Sequence, residues 1–118
     1  MAGKLVRNKI PQIIRQQTGV PAKWRELKSG THEYRLALLE KLTEEAEEVF
    51  DAYVKAAKRR NATHDSIVAD VAKELIDVLE VFYECRREFN LTPSELAQLR
   101  LFKRDRRGSF SQHMYIEE

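Results

Sequence analysis

Three prolines, four glycines and one cysteine are few for 118 residues, and each shortage closes off a class of protein. Sandwiches and barrels built from many short strands need frequent turn residues, so low Gly and Pro argue against them. A lone cysteine, Cys85, has no internal partner for a disulfide. It reads as a small hydrophobe on the inner side of its helix, in a reducing compartment. No stretch approaches the roughly 18 apolar residues of a membrane span, and MAGKLVRNKIP lacks the apolar stretch of a signal peptide. The expectation is a soluble, cytoplasmic protein with no membrane partner. An excess of one charge is missing too: the net is +2, without the continuous basic face that duplex DNA requires, so no nucleic-acid partner is expected. There is no Walker-type GxxxxGK loop, no GxGxxG turn and no nucleophile elbow.

What the chain does hold is abundant Ala, Leu, Glu, Lys and Arg, in a length that suits a single domain over 1–118. The fold class read from this is all-α. Pro11 suits the first position of a helix through QIIRQQ that Gly19 ends. A second helix starts after Thr31 and runs to Arg59 or Arg60. The turn Asn61–Asp65 follows, with Thr63 or Asp65 capping a third helix that extends to Phe89. Thr92-Pro93-Ser94-Glu95 opens a fourth helix through a cap, a first-position proline and a Glu placed for a capping box. It ends at Arg107, before Gly108. VPAKWREL and FSQHMYI read as short extended segments. The second and third helices then form a central antiparallel hairpin.

The charge that is present is unevenly spread. Residues 1–30 carry seven Lys/Arg and one Glu, whereas residues 31–90 carry nine basic and fourteen acidic side chains. Two acidic doublets stand out in that middle: Glu45/Glu48 in TEEAEEV and Glu74/Asp77 in KELIDVLEV. An i, i+3 pair lies on one helix face. Glu48 falls about 11 residues before the turn and Glu74 about 10 after it. At roughly 1.5 Å per residue both doublets stand about 15–17 Å from the turn. The hairpin would therefore bring four carboxylates to one level.

The apolar arcs test whether these are surface residues. On the second helix the arc comprises Leu38, Leu39, Leu42, Ala46, Val49, Phe50, Tyr53 and Ala57, with Glu45 at its border. On the third, Ile67, Val71, Leu75, Val78, Val81, Phe82, Cys85 and Phe89 form the arc, and Glu74 projects inside it. A carboxylate buried without a partner costs several kcal/mol or takes up a proton. Two compensations are open: a hard, oxygen-preferring cation such as Mg2+ or Mn2+, or a Lys or Arg from elsewhere in the chain. Lys103 and Arg107, four apart at the end of the fourth helix, are candidates for binding phosphate. Lys4, Arg7 and Lys9 form a second candidate clamp. Arg104 and Arg106 read as cations complementing the helix dipole. His32, His64 and His113 have no metal-ligand spacing and read as surface or capping residues.

Taken in order, KLVRNKIP, KLTEEAEEV, KELIDVLEV and the K-x-x-x-R-G-x-F run of Lys103, Arg107, Gly108 and Phe110 resemble the small MazG-like nucleotide pyrophosphohydrolases. That all-α group includes phosphoribosyl-ATP pyrophosphohydrolase. Its E-x-x-E and E-x-x-D signature falls on Glu45, Glu48, Glu74 and Asp77. Asn8 stands where relatives commonly have Asp, and Ser109 where they commonly have a second Gly. The resemblance implies Mg2+ (or Mn2+) on those four residues and hydrolysis of a nucleotide between its α and β phosphates, giving a monophosphate and pyrophosphate. It further implies Lys103 and Arg107 opposite the departing pyrophosphate, Glu44 or Glu45 as candidate bases, and a homodimer or homotetramer that covers apolar surface one hairpin cannot. The other readings are a non-catalytic helical interaction module and a nucleotide-sensing domain without turnover.

Overall fold

A computed structural model describes residues 3–117. They form four helices and, among the described residues, no strand: α1 Ile10–Thr18, α2 His32–Ala57, α3 His64–Glu88 and α4 Pro93–Arg107. The sequence signals set the ends. Pro11 sits in the first turn of α1, and Gly19 ends it at φ 74, a left-handed conformation natural to glycine, with its N–H on the Arg15 carbonyl. Thr31 caps α2 by accepting the Tyr34 N–H. At α3 Thr63, not Asp65, is the cap, and it exchanges hydrogen bonds with Ser66 in a capping box. Thr92 caps α4 and Gly108 ends it.

One expectation needed adjustment. Helix α2 stops at Ala57, short of the expected end at Arg59 or Arg60, and Arg59 instead crosses the turn to Asp70 at 2.8 Å. The segments around VPAKWREL and FSQHMYI are irregular and do not pair as strands.

Packing is concentrated in the hairpin. Among the described residues α2 and α3 are the one helix pair in contact, and neither α1 nor α4 lies against them. The radius of gyration is 18.2 Å, against about 13.5 Å for a compact chain of this length. Among the described residues the buried apolar ones are Ala37, Leu38 and Ala56, and no large side chain is fully enclosed. Much of each apolar arc therefore remains open: Phe50 is 69% exposed, Tyr53 54% and Leu75 50%. Cys85, expected inside, is half-buried, and burial together with the neighbouring Glu84 charge pushes its thiol pKa up. The physical reason is geometric, because one neighbouring helix covers only part of an arc this wide.

The open end of the hairpin is fastened by a carboxylate. Glu88, with 1% of its side chain exposed, accepts from the Ser29 hydroxyl at 2.6 Å, the Gly30 N–H at 2.9 Å and Arg35 Nε at 2.8 Å. Arg35 also lies over the Phe89 ring, 5.2 Å from its centre. These contacts hold the start of α2 beside the end of α3 and so fix the register in which the acidic doublets meet.

Candidate metal centre

In that register the doublets converge. Glu45, Glu74 and Asp77 each offer one oxygen, and the three atoms lie within 4.8 Å of one another. A second triad, Glu44, Glu45 and Glu48, meets the same limit. Glu45 belongs to both. The four expected ligands thus form overlapping triads joined at one residue, with Glu44 drawn in beside them. Oxygens on opposite sides of a Mg2+ with bonds of about 2.1 Å stand about 4.2 Å apart, so either triad closes on an ion with small side-chain shifts.

The buried member differs from the one expected. Glu45, not Glu74, is enclosed, at 6% exposure, while Glu74 and Asp77 are half-buried. Glu74 lies within the apolar arc of α3, but only part of that arc meets α2. Glu45 sits at the border of its own arc, directly in the seam between the helices.

The charges around Glu45 decide what the cluster can hold. Lys41, one turn earlier on α2, places Nζ 2.9 Å from Glu45 Oε1 and 3.4 Å from Glu44 Oε1. Burial alone would lower the lysine's pKa, but hydrogen bonds to Glu45 and Glu44 and their charges outweigh it and hold the pKa above its ordinary value. Lys4 reaches Glu44 at 3.5 Å, and Arg7 donates to Asp77 at 2.6 Å. Three cations therefore pair directly within a group of five carboxylates, leaving two negative charges uncompensated. Glu45 Oε2 is buried with no hydrogen-bond partner among the described residues. Glu48 carries the strain of this crowding. The side chain of Glu45 beside it raises its pKa, reinforced by burial and by the charges of Glu45, Glu74 and Glu44.

A hard divalent cation fits this donor set. An orphaned, enclosed carboxylate oxygen and a residual charge of −2 are what such an ion would satisfy. The N-terminal cluster lies over the site rather than apart from it, through Lys4 and Arg7; Lys9 forms no ion pair among the described residues. Lys103 and Arg107 are not brought to the carboxylates. They stand exposed on α4, which packs on neither hairpin helix. Sequence reasoning missed Lys41, although its place four residues before Glu45 is the ordinary helical ion-pair spacing.

Comparisons with protein-family models, curated proteins and solved structures returned no match to this chain. Among the described residues no helix is long and apolar enough to cross a membrane.

Proposed function

We propose that the protein is a Mg2+-dependent nucleotide pyrophosphohydrolase of the MazG-like kind, cleaving between the α and β phosphates. The observation that carries this reading is the unpartnered, buried Oε2 of Glu45 at the junction of two carboxylate triads. The E-x-x-E and E-x-x-D spacing of the sequence supports it. Glu45, Glu48, Glu74 and Asp77 would hold the ion. A divalent cation there lowers the pKa of water and neutralises charge on phosphate oxygens. The chain's own residues then have separate tasks. Glu44, whose carboxylate lies on Lys4 and Lys41, and Glu45 would be the candidates to receive a proton from the attacking water. Lys41 pairs with Glu45 at 2.9 Å. As water adds to the α phosphorus, the bond to the bridging oxygen breaks, and the products are a nucleoside monophosphate and pyrophosphate. Assembly into a homodimer or homotetramer belongs to the same reading, because α2 and α3 expose large apolar side chains such as Phe50, Tyr53 and Leu75 that a second copy would cover.

One set of observations favours a second reading. Lys41, Arg7 and Lys4 already pair with the carboxylates, as an ion-pair network in a non-catalytic interaction module would require.

A panel of nucleotides with Mg2+ and with Mn2+, scored for products, separates the two. Release of monophosphate plus pyrophosphate, lowered by orders of magnitude in Glu48→Gln and Asp77→Asn, is expected. Diphosphate plus orthophosphate would mean the reaction is misassigned. No turnover, together with identical melting curves in EDTA and Mg2+, would leave the ion-pair module.

A further inference from the structure

A groove of about 360 Å³ runs from the carboxylates toward the α2–α3 turn, and its polarity changes along its length. Glu48 and Glu74 form one end, shared with the carboxylate cluster. Lys55, Lys73 and Arg59 line the remainder. Small side chains make the space: Ala52 and Ala56 face the groove where larger residues would fill the gap between the helices. Arg59 is committed to Asp70 at 2.8 Å, which neutralises that carboxylate. Lys55 and Lys73 take part in no ion pair among the described residues. Asp51, the remaining acidic lining residue, is exposed to solvent.

We infer that this groove is a diphosphate subsite in which Lys55 and Lys73 bind the two phosphates beyond the metal. The inference rests on the metal reading above, because the empty groove has four carboxylates against three cations and turns attractive to an anion only when Glu48 and Glu74 are neutralised. With an ion at that end, the groove offers positive charge from the metal to Lys55. Two turns of α2, about 10.5 Å along its axis, separate Glu48 from Lys55, a span that a phosphate chain and a lysine stem bridge together. Both lysines are exposed, so each reaches a ligand without disturbing the core, and a compact ammonium suits a phosphate oxygen as a point charge. This subsite supplies what α4 does not, since Lys103 and Arg107 lie on a helix that makes no contact with the hairpin.

The test is calorimetric titration of Mg2+-pyrophosphate into the wild type, Lys55→Gln/Lys73→Gln and Lys55→Arg/Lys73→Arg, with an α,β-methylene nucleoside triphosphate as a second arm. Loss of the two charged contacts should weaken pyrophosphate binding at least about tenfold, with Mn2+ affinity and helical content unchanged and the arginine pair restoring most of the affinity. Weakening in both arms places the nucleotide's own phosphates in the groove. Weakening for pyrophosphate alone makes the groove a site for the released diphosphate. The subsite is overturned if the wild type does not bind pyrophosphate, if the glutamine pair binds it as the wild type does, or if Mn2+ affinity falls in parallel. Turnover is not the readout, so a chain that binds pyrophosphate here without hydrolysing nucleotides keeps the subsite and loses the hydrolase.

Discussion

Arg7 Nη2 lies 2.6 Å from Asp77 Oδ1 although seventy residues separate them in the chain. The contact puts a guanidinium on one of the expected metal ligands. Asp77 still has its second oxygen, but the neighbouring positive charge opposes any incoming cation. Arg7 is about half exposed, so the opposition is that of a screened surface pair, about 0.2–1 kcal/mol. Arg7→Gln should therefore tighten Mn2+ binding by about 1.5- to 5-fold in a calorimetric titration. Weaker binding would show that Arg7 holds Asp77 in place for the ion rather than competing with it.

The Glu88 knot makes a prediction of a different kind. Hydrogen bonds from Ser29, Arg35 and the Gly30 N–H outweigh desolvation and hold its carboxyl below the ordinary value of 4.5. Tyr34 feels the Glu88 charge: burial and the charges of Glu84 and Glu88 raise the tyrosine, so it stays neutral throughout the acid range. A carboxylate whose pKa is depressed on folding binds fewer protons in the native state than in the unfolded one. Its contribution is complete above 4.5 and is lost as pH falls through the lower folded value. The stability gap between wild type and Glu88→Gln, from urea midpoints, should be widest near pH 7 and should close below the usual carboxylate range. A gap that stays constant with pH would make the loss one of shape rather than charge.

The fold was legible in the sequence wherever a local signal sufficed. Thr31, Thr63 and Thr92 cap three helices, and Gly19 and Gly108 end two, because capping depends on a few neighbouring atoms. The meeting of the two acidic doublets was legible for a related reason, since helical rise and a short turn fix their level. What the sequence hid was how far each arc would be covered. Glu74 looked the more enclosed because its arc is apolar, but burial depends on where α2 lies, and that seam contains Glu45. The Glu88 contacts span 53 to 59 residues and follow no period along the chain. Lys41 was visible as an ion-pair spacing, but its weight came only with the burial of its partner.

Phe82 and Phe89 bring the uncovered arc to a measurable point. Phe82 lies on the inward stripe of α3 by pattern and Phe89 continues it at the C-terminal cap, yet they are 41% and 39% exposed. In a lone chain each Phe→Ala change would cost less than the roughly 3–5 kcal/mol of a fully buried ring. In an assembly the remainder appears as weaker association. Light scattering should find the wild type as a dimer or tetramer at micromolar concentration, with Phe82→Ala shifted toward the monomer. Its unfolding midpoint should also rise with protein concentration. A monodisperse, folded wild-type monomer would end the assembly proposal.

The last prediction sets Lys103 and Arg107 against the groove lysines. The family resemblance puts them opposite the departing pyrophosphate. The structure puts them at the exposed end of α4, whose last turn already gains from cations through the helix dipole and where Arg106 stacks over Phe102 at 5.4 Å. A residue that meets charge only as pyrophosphate departs lowers kcat when removed, whereas one that holds phosphate throughout raises KM. With α4 apart from the hairpin, Lys103→Ala and Arg107→Ala should each lower kcat/KM by less than Lys55→Gln/Lys73→Gln does. Steady-state kinetics on the best nucleotide of the panel makes the comparison. A loss in kcat from Lys103→Ala that exceeds the loss from the groove variant would show that α4 closes over the bound nucleotide during turnover, and would return the leaving-group role to Lys103 and Arg107.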